Sequence, residues 1–159
     1  VIEARVQFNN LATKMAFLGL SDIDPNTLIL EGGIGHVSGG TVTLTASDQC
    51  GFAFSAEATA TTDWHMVYNG GDTTGETTAA NILTGNTITA AEWQVLRLEI
   101  DPNGTARWYV DGDLKQTKTG AVSTTTVMGV CLGVEAKGAA VEEMDVDYLL
   151  VQANRDWTA

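Results

Sequence analysis

The sequence predicts an all-β fold, a β-sandwich or a barrel, on three observations. Apolar residues recur at the two-residue period of a strand and not at the period of a helix. About ten to thirteen short strand-like runs are separated by Gly, Asn, Asp and Pro turn signals. No helix-length amphipathic run competes, although Thr89-Ala90-Ala91-Glu92 has the composition of one helical turn.

The first run alternates Ile2, Ala4, Val6 and Phe8 with Glu3, Arg5 and Gln7, the pattern of a half-buried strand. Asn9-Asn10 supplies a turn. Lys14 to Leu20 is mostly apolar, as a more central strand requires. Ser21-Asp22-Ile23-Asp24-Pro25-Asn26 is loop chemistry, because Asx side chains bond their own backbone and Pro25 cannot donate to a ladder. Thr27 to Leu30 reads as a short strand closed by Gly32-Gly33 and Gly35. Thr41 to Ala46 is β-branched, with Val42 and Leu44 on one face.

Phe52-Ala53-Phe54 opens a further strand after Gly51. Asp63 to Tyr68 places Trp64, Met66 and Tyr68 on one face and His65 with Val67 on the other. Asn69-Gly70-Gly71-Asp72 is a turn, and Thr73 to Asn86 reads as a long surface loop or a weak edge strand. From Glu92 the pattern sharpens. Leu96, Leu98 and Ile100 oppose Arg97, Glu99 and Asp101, and Asp101-Pro102-Asn103-Gly104 suits a type I turn with Gly104 at positive φ. Ala106, Trp108 and Val110 point inward. Asp111-Gly112 makes the next tight turn, into Leu114–Lys118. Val127–Glu135 and a final strand built on Met144, Val146, Tyr148 and Leu150 close the set.

A chain of 159 residues is one ordinary domain, 44% hydrophobic and 18% charged. Residue 1 is Val and no signal peptide precedes it, so the sequence reads as a trimmed product or as part of a longer chain. Twenty acidic residues against eight basic ones give a net charge of −12. Nucleic acids and anionic membranes need a basic footprint, so neither is an expected partner. The acidity favours a cation or a basic protein instead. Cys50 and Cys131 lie in or beside apolar runs and read as buried free thiols, with a bridge open if their strands face each other.

The residues Trp93, Leu96-Arg97-Leu98-Glu99-Ile100-Asp101, Gly104 and Trp108-Tyr109-Val110-Asp111-Gly112 resemble the concanavalin A-like lectin/glucanase superfamily, laminin-G-like modules included. The resemblance implies a jelly-roll sandwich in which the last strand, Asp145-Val146-Asp147-Tyr148, lies beside the first, at Glu3–Phe8. Acidic, Thr/Ala/Gly-rich versions without a secretion signal are similar to the jelly-roll domains of tailed-phage virion proteins. That implies a capsid decoration or head-fibre protein, located on the virion surface or otherwise extracellular. It would be non-catalytic and would act through contacts with capsid or other virion proteins, with a homo-oligomer as a further possibility. A carbohydrate-binding, lectin-like module that uses calcium is the alternative, and a glycoside hydrolase the third.

Three constellations bear on chemistry. Glu143, Asp145 and Asp147 alternate in Glu142-Glu143-Met144-Asp145-Val146-Asp147, so a strand would project them from one face. They resemble the paired carboxylates of the glucanase branch, which work at about 5–5.5 Å separation. The last acid here is Asp in place of Glu and the strand is terminal, and a solvated strand face is the competing reading. Asp22, Asp24 and Asn26 offer the hard oxygen ligands of a calcium loop. Positions 27 and 33 are Thr and Gly, so the loop is not an EF-hand. Trp64 and Trp108 share faces with apolar neighbours and read as core. Tyr109 and His65 are on the opposite, expectedly exposed faces and are the ligand-binding candidates, with Trp157 as an anchor for a tail.

Overall fold

The computed structural model describes residues 1–24, 29–72, 75, 82–139 and 141–153. Among these it contains β1 (Ile2–Gln7), β2 (Lys14–Ser21), β3 (Gly35–Ser38), β4 (Thr41–Leu44), β5 (Gln49–Ser55), β6 (Asp63–Asn69), β7 (Ile82–Thr87), β8 (Gln94–Ile100), β9 (Ala106–Val110), β10 (Asp113–Lys118), β11 (Gly129–Ala136) and β12 (Asp145–Val151). One sheet runs β10-β9-β8-β1-β12, a second runs β11-β2-β5-β6-β7, and β3-β4 form a separate hairpin. Neighbouring strands pair antiparallel throughout. The two five-stranded sheets pack face to face, so the chain is an antiparallel β-sandwich.

The alternation read from the sequence sets the inner faces. Ile2, Ala4 and Val6 of β1, Leu96 and Leu98 of β8, and Trp108 of β9 are buried against Leu18, Phe52, Phe54, Trp64 and Met66 of the second sheet. Two indoles tie the layers together. Trp108 Nε1 donates to the Gly51 carbonyl at 2.9 Å and Trp64 Nε1 donates to Gln94 Oε1 at 3.0 Å. Phe8 packs on Phe54 and Trp64, with ring centroids 5.3 and 5.7 Å apart. Gly51 stands opposite Gly19 in the β2–β5 ladder. A Cβ on Gly19 would lie 2.2 Å from the Cys50 carbonyl oxygen and 2.6 Å from Gly51 Cα, so no side chain fits there.

The second sheet is covered on its outer face too, which explains the unbroken apolar run of β2. A single π-helical turn, Leu30–Ile34, and the β3–β4 hairpin fold over it. Leu30 and Ile34 pack on Met15, Phe17, Ala53, Val67 and Cys131. Gln49 Nε2 donates to the Ile34 carbonyl at 2.8 Å and fastens this cover to β5. Cys50 faces the inner core and Cys131 the outer one, so the two thiols lie on opposite faces of the sheet and are free. Desolvation pushes both thiols above their ordinary range.

The turns follow the sequence. Gly104 adopts φ +79° and its N–H donates to the Asp101 carbonyl at 3.0 Å. Asp111 and Gly112 sit at φ +52° and +87°, the two positive angles of a type I′ hairpin. β1 pairs with β12, as expected of the first and last strands.

Three expectations are corrected. Leu30 belongs to the π turn and not to a strand, while Thr27 and Leu28 lie outside the described residues. The Thr89–Glu92 segment is a turn with Ala91 at φ +62° and not a helical turn. Tyr148 and Leu150 do not share the inner face with Val146. Arg5 pairs with Tyr148 but Val6 with Val146, so Asp147 is an extra residue in a β-bulge. Beyond the bulge the alternation inverts. Leu149 and Val151, opposite Ala4 and Ile2, turn inward, while Tyr148 and Leu150 turn outward.

Trp108 is fully buried, and its indole is both a large apolar body and the cross-layer donor. Trp108→Ala is expected to lower stability by about 3–5 kcal/mol. The check is a urea titration, in which the midpoint falls and the slope is unchanged.

Candidate functional site

The outer face of the first sheet gathers the polar candidates. Glu3 and Arg5 come from β1, Arg97 and Glu99 from β8, and Tyr109 from β9. Asp147 and Tyr148 come from β12. Strand alternation presents those of β1, β8 and β9 on the side away from the core, and the β12 bulge brings both Asp147 and Tyr148 to that side. Tyr148 Oη donates to Glu3 Oε1 at 2.8 Å, and Glu3 Oε2 lies 4.0 Å from Arg97 Nη1. Arg97 Nη2 donates to Glu99 Oε1, and Tyr109 Oη donates to Glu99 Oε2 at 3.0 Å. One guanidinium thus stands between two carboxylates, each also held by a tyrosine.

The Arg97 guanidinium lies 5.6 Å from the Tyr109 ring centroid. With Glu3, Val95, Glu99, Tyr109 and Gly112 it lines a depression of about 210 Å³. Arg97 Nε is shielded and has no hydrogen-bond partner among the described residues. At the margins of the face, Arg107 forms a two-pronged pair with Asp101 at 2.7 and 2.9 Å, and Arg5 lies 4.9 Å from the ring of half-exposed Trp93. Desolvation and the bond to Glu99 raise the Tyr109 phenol above its ordinary range. The bond to Glu3 does the same for Tyr148. Both phenols therefore stay protonated at neutral pH and act as hydrogen-bond donors.

The expected carboxylate trio does not converge. Asp147 lies 2.9 Å from Arg5 Nη1 and is neutralised by it. Asp145 is exposed at the start of β12, opposite Gln7, and Glu143 precedes the strand altogether. The acid that the structure uses in this segment is Glu142. Its Oε1 accepts from Thr13 Oγ1 at 2.6 Å, and its Oε2 lies 2.9 Å from Lys14 Nζ. These partners hold the Glu142 carboxyl below its ordinary range, opposite to what a general acid needs. Lys14 is fully buried, bonded also to Asn9 Oδ1 and to the Glu143 carbonyl, and 5.5 Å from the Phe8 ring centroid. No sequence pattern marks this lysine as interior.

His65 is not exposed: it is 2% accessible. It does lie opposite Trp64, as read, but the second sheet is buried on both faces, so that face is interior too. His65 Nε2 bonds the Ala60 carbonyl at 3.1 Å, and Nδ1 has no partner among the described residues. Desolvation lowers its pKa. Tyr109 keeps the partly exposed position expected of it.

Asp22 and Asp24 are exposed in their loop, and Asn26 and Trp157 lie outside the described residues. Among the described residues no group of three or more His, Cys, Asp or Glu side chains gathers as a metal site would. Asp22 and Asp24 thus supply two carboxylates of the roughly six to eight oxygens that calcium takes. No protein-family model matches the sequence, and no curated protein matches it.

The burial of His65 gives a signed pH dependence. Protonation would place a second N–H, on Nδ1, in a dry site without an acceptor, so the folded state favours the neutral ring. The unfolded chain binds that proton near pH 6.5. The stability is therefore complete above that pH and declines as pH falls below it. Urea midpoints measured at about pH 7.5 and 5.5 are expected to fall for the parent chain and to fall less for His65→Gln.

Proposed function

We propose that the chain is a non-catalytic binding module that works by docking its surface onto protein partners. The observation that carries this reading is the state of β12. Tyr148, Leu149, Leu150 and Val151 are each 37–48% exposed although they belong to a sheet, while Asp147 and Glu142 nearby stand in ion pairs with Arg5 and Lys14. A strand that is apolar on both sides and half open to solvent is a contact surface.

The sequence resemblance to concanavalin A-like jelly rolls, and to phage virion domains among them, supports a reading in which this surface works in a particle. There the module would serve as a capsid decoration or head-fibre protein. The net charge of −12 favours basic regions on the shell as the counterpart.

A second reading rests on one specific observation. The depression beside Tyr109 combines an aromatic ring, a guanidinium and two carboxylates, the mix of stacking surface and hydrogen-bond groups that a sugar ring uses. On that reading the module is a lectin, and calcium held by Asp22, Asp24 and Asn26 would belong to it.

Particles purified on a density gradient separate the two. The docking reading expects the chain to travel with assembled particles in fixed stoichiometry and to leave them as salt rises, since salt screens acidic–basic contacts. Free chain at every salt concentration, together with binding on a glycan array that a chelator abolishes, would establish the lectin instead.

A further inference from the structure

We propose that β12 is a self-association edge: it pairs antiparallel with β12 of a second copy, joining two five-stranded sheets into one. The proposal rests on the docking reading above and names the partner. Among the described residues β12 is the last strand of its sheet and bonds β1 along one side only. The ladder shows which of its groups point the other way. Val1 and Gln152 exchange both backbone hydrogen bonds, at 2.8 and 2.9 Å, so they form a bonded pair. Bonded and unbonded pairs alternate in an antiparallel ladder. Leu150 opposite Glu3 is therefore bonded to β1, while Leu149 opposite Ala4 and Val151 opposite Ile2 are not. The N–H and C=O groups of Leu149 and Val151 face outward along the free edge.

The same stretch lacks the usual guards of an exposed edge, which are lysines, prolines and inward charges. At the other end of this sheet β10 carries them, with Asp113, Lys115 and Lys118, and Lys115 lies 3.3 Å from Asp113. Tyr148-Leu149-Leu150-Val151 carries no charge and no proline. Beside it, Ile2, Leu20, Ile100, Val130 and Val151 line a groove of about 770 Å³ between the two sheet edges. Val130 of β11, the matching edge strand of the second sheet, is 39% exposed.

The ladder favours a second copy, because the outward groups of Leu149 and Val151 can bond their own counterparts, and charge selects the direction. The acids of β12, Asp145 and Asp147, lie in its first half and the apolar residues in its second. Parallel self-pairing would set Asp145 against Asp145, and like charges directly opposite destabilise. Antiparallel pairing centred on Leu150 sets Leu149 opposite Val151 of the second copy, two residues whose N–H and C=O groups both face the free edge, and sets Asp147 opposite Ala153, so no acid meets an acid. A two-fold arrangement also brings the two Val130 edges to the same side, and each copy then covers half of the other's groove.

Sedimentation of the purified full chain, over a concentration series at about 50 and about 500 mM salt, tests this. A dimer is expected. Its dissociation constant should fall as salt rises, because two copies of charge −12 repel and salt screens that repulsion. A basic partner would give the opposite salt dependence. Two variants should weaken the dimer at least about tenfold. Leu149→Asp puts an acid opposite Val151, in the apolar stretch of the second copy, and Leu149→Pro removes an outward N–H that β1 does not use. Urea midpoints confirm that each variant folds, and if one does not, the other decides.

A chain that is monomeric at all salt concentrations overturns the proposal. So do variants that dimerise as well as the parent, and a dimer that forms only after residues 154–159 are deleted. A monomer that still travels with particles sinks self-pairing and leaves the docking reading standing. A dimer that never joins a particle does the reverse.

Discussion

The fold depends on how closely the backbone can be approached at Gly51. From the inside, Trp108 must bring its indole N–H to the Gly51 carbonyl, because a buried donor without an acceptor costs more than the bond contributes. From the outside, the Phe17 ring lies where a side chain on residue 51 would stand, with Cζ 2.9 Å from that position. Along the sheet, Gly19 leaves no room for a Cβ on either strand. One missing side chain thus permits the contact between β2 and β5 and the seating of Phe17 under the outer cover, while the carbonyl of the same residue makes the contact between the sheets. The register of both layers follows from this point.

The parts legible in the sequence are those set by period and by turn chemistry. Alternation identified the inner residues of β1, β8 and β9, and Asp101–Gly104 and Asp111-Gly112 form the turns their residues require. Alternation names two faces, however, and does not say which is wet. Alternation puts His65 on the face opposite Trp64, and that face is dry because other parts of the chain cover the sheet, the π turn over Val67 and the Ala60 carbonyl against His65. The β12 bulge is silent for a related reason. Asp145 to Tyr148 alternates cleanly, but Tyr148-Leu149-Leu150-Val151 is apolar in both phases, so a one-residue slip leaves the pattern unbroken. Lys14 is invisible because its partners, Asn9, Glu142 and the Glu143 carbonyl, meet only in three dimensions.

The charge distribution is less lopsided inside the molecule than its total suggests. Arg5, Lys14, Arg97, Arg107, Lys115 and Lys137 all stand within ion-pair distance of acids. Lys118 lies 5.7 Å from the Tyr68 ring centroid. Lys137 joins Glu31 of the π turn to Glu57 beyond β5, which holds the cover in place from a second direction. Among the described residues these positive charges are thereby committed to structure, and the acids in excess of them give the exterior its sign. On the outer face of the first sheet Arg5, Arg97 and Arg107 each stand beside an acid, so the carboxylates there hold these side chains in position.

These assignments rank the surfaces by what the chain has left undone. The outer face of the second sheet is covered by the chain itself, and that of the first is closed by its own network of bonds. The β10 edge is guarded by charge. The β12 edge is guarded only in its acidic first half, and that half-guard is selective. It repels a parallel copy and any acidic strand laid across it, and it leaves open an approach in which acids meet apolar residues. An apolar edge on a chain of charge −12 is also held apart from its own kind at long range, where repulsion acts, and attracted only at contact, where burial and backbone bonds act. That combination suits a protein that must stay dispersed at low concentration and assemble where it is gathered, as on the symmetric surface of a particle.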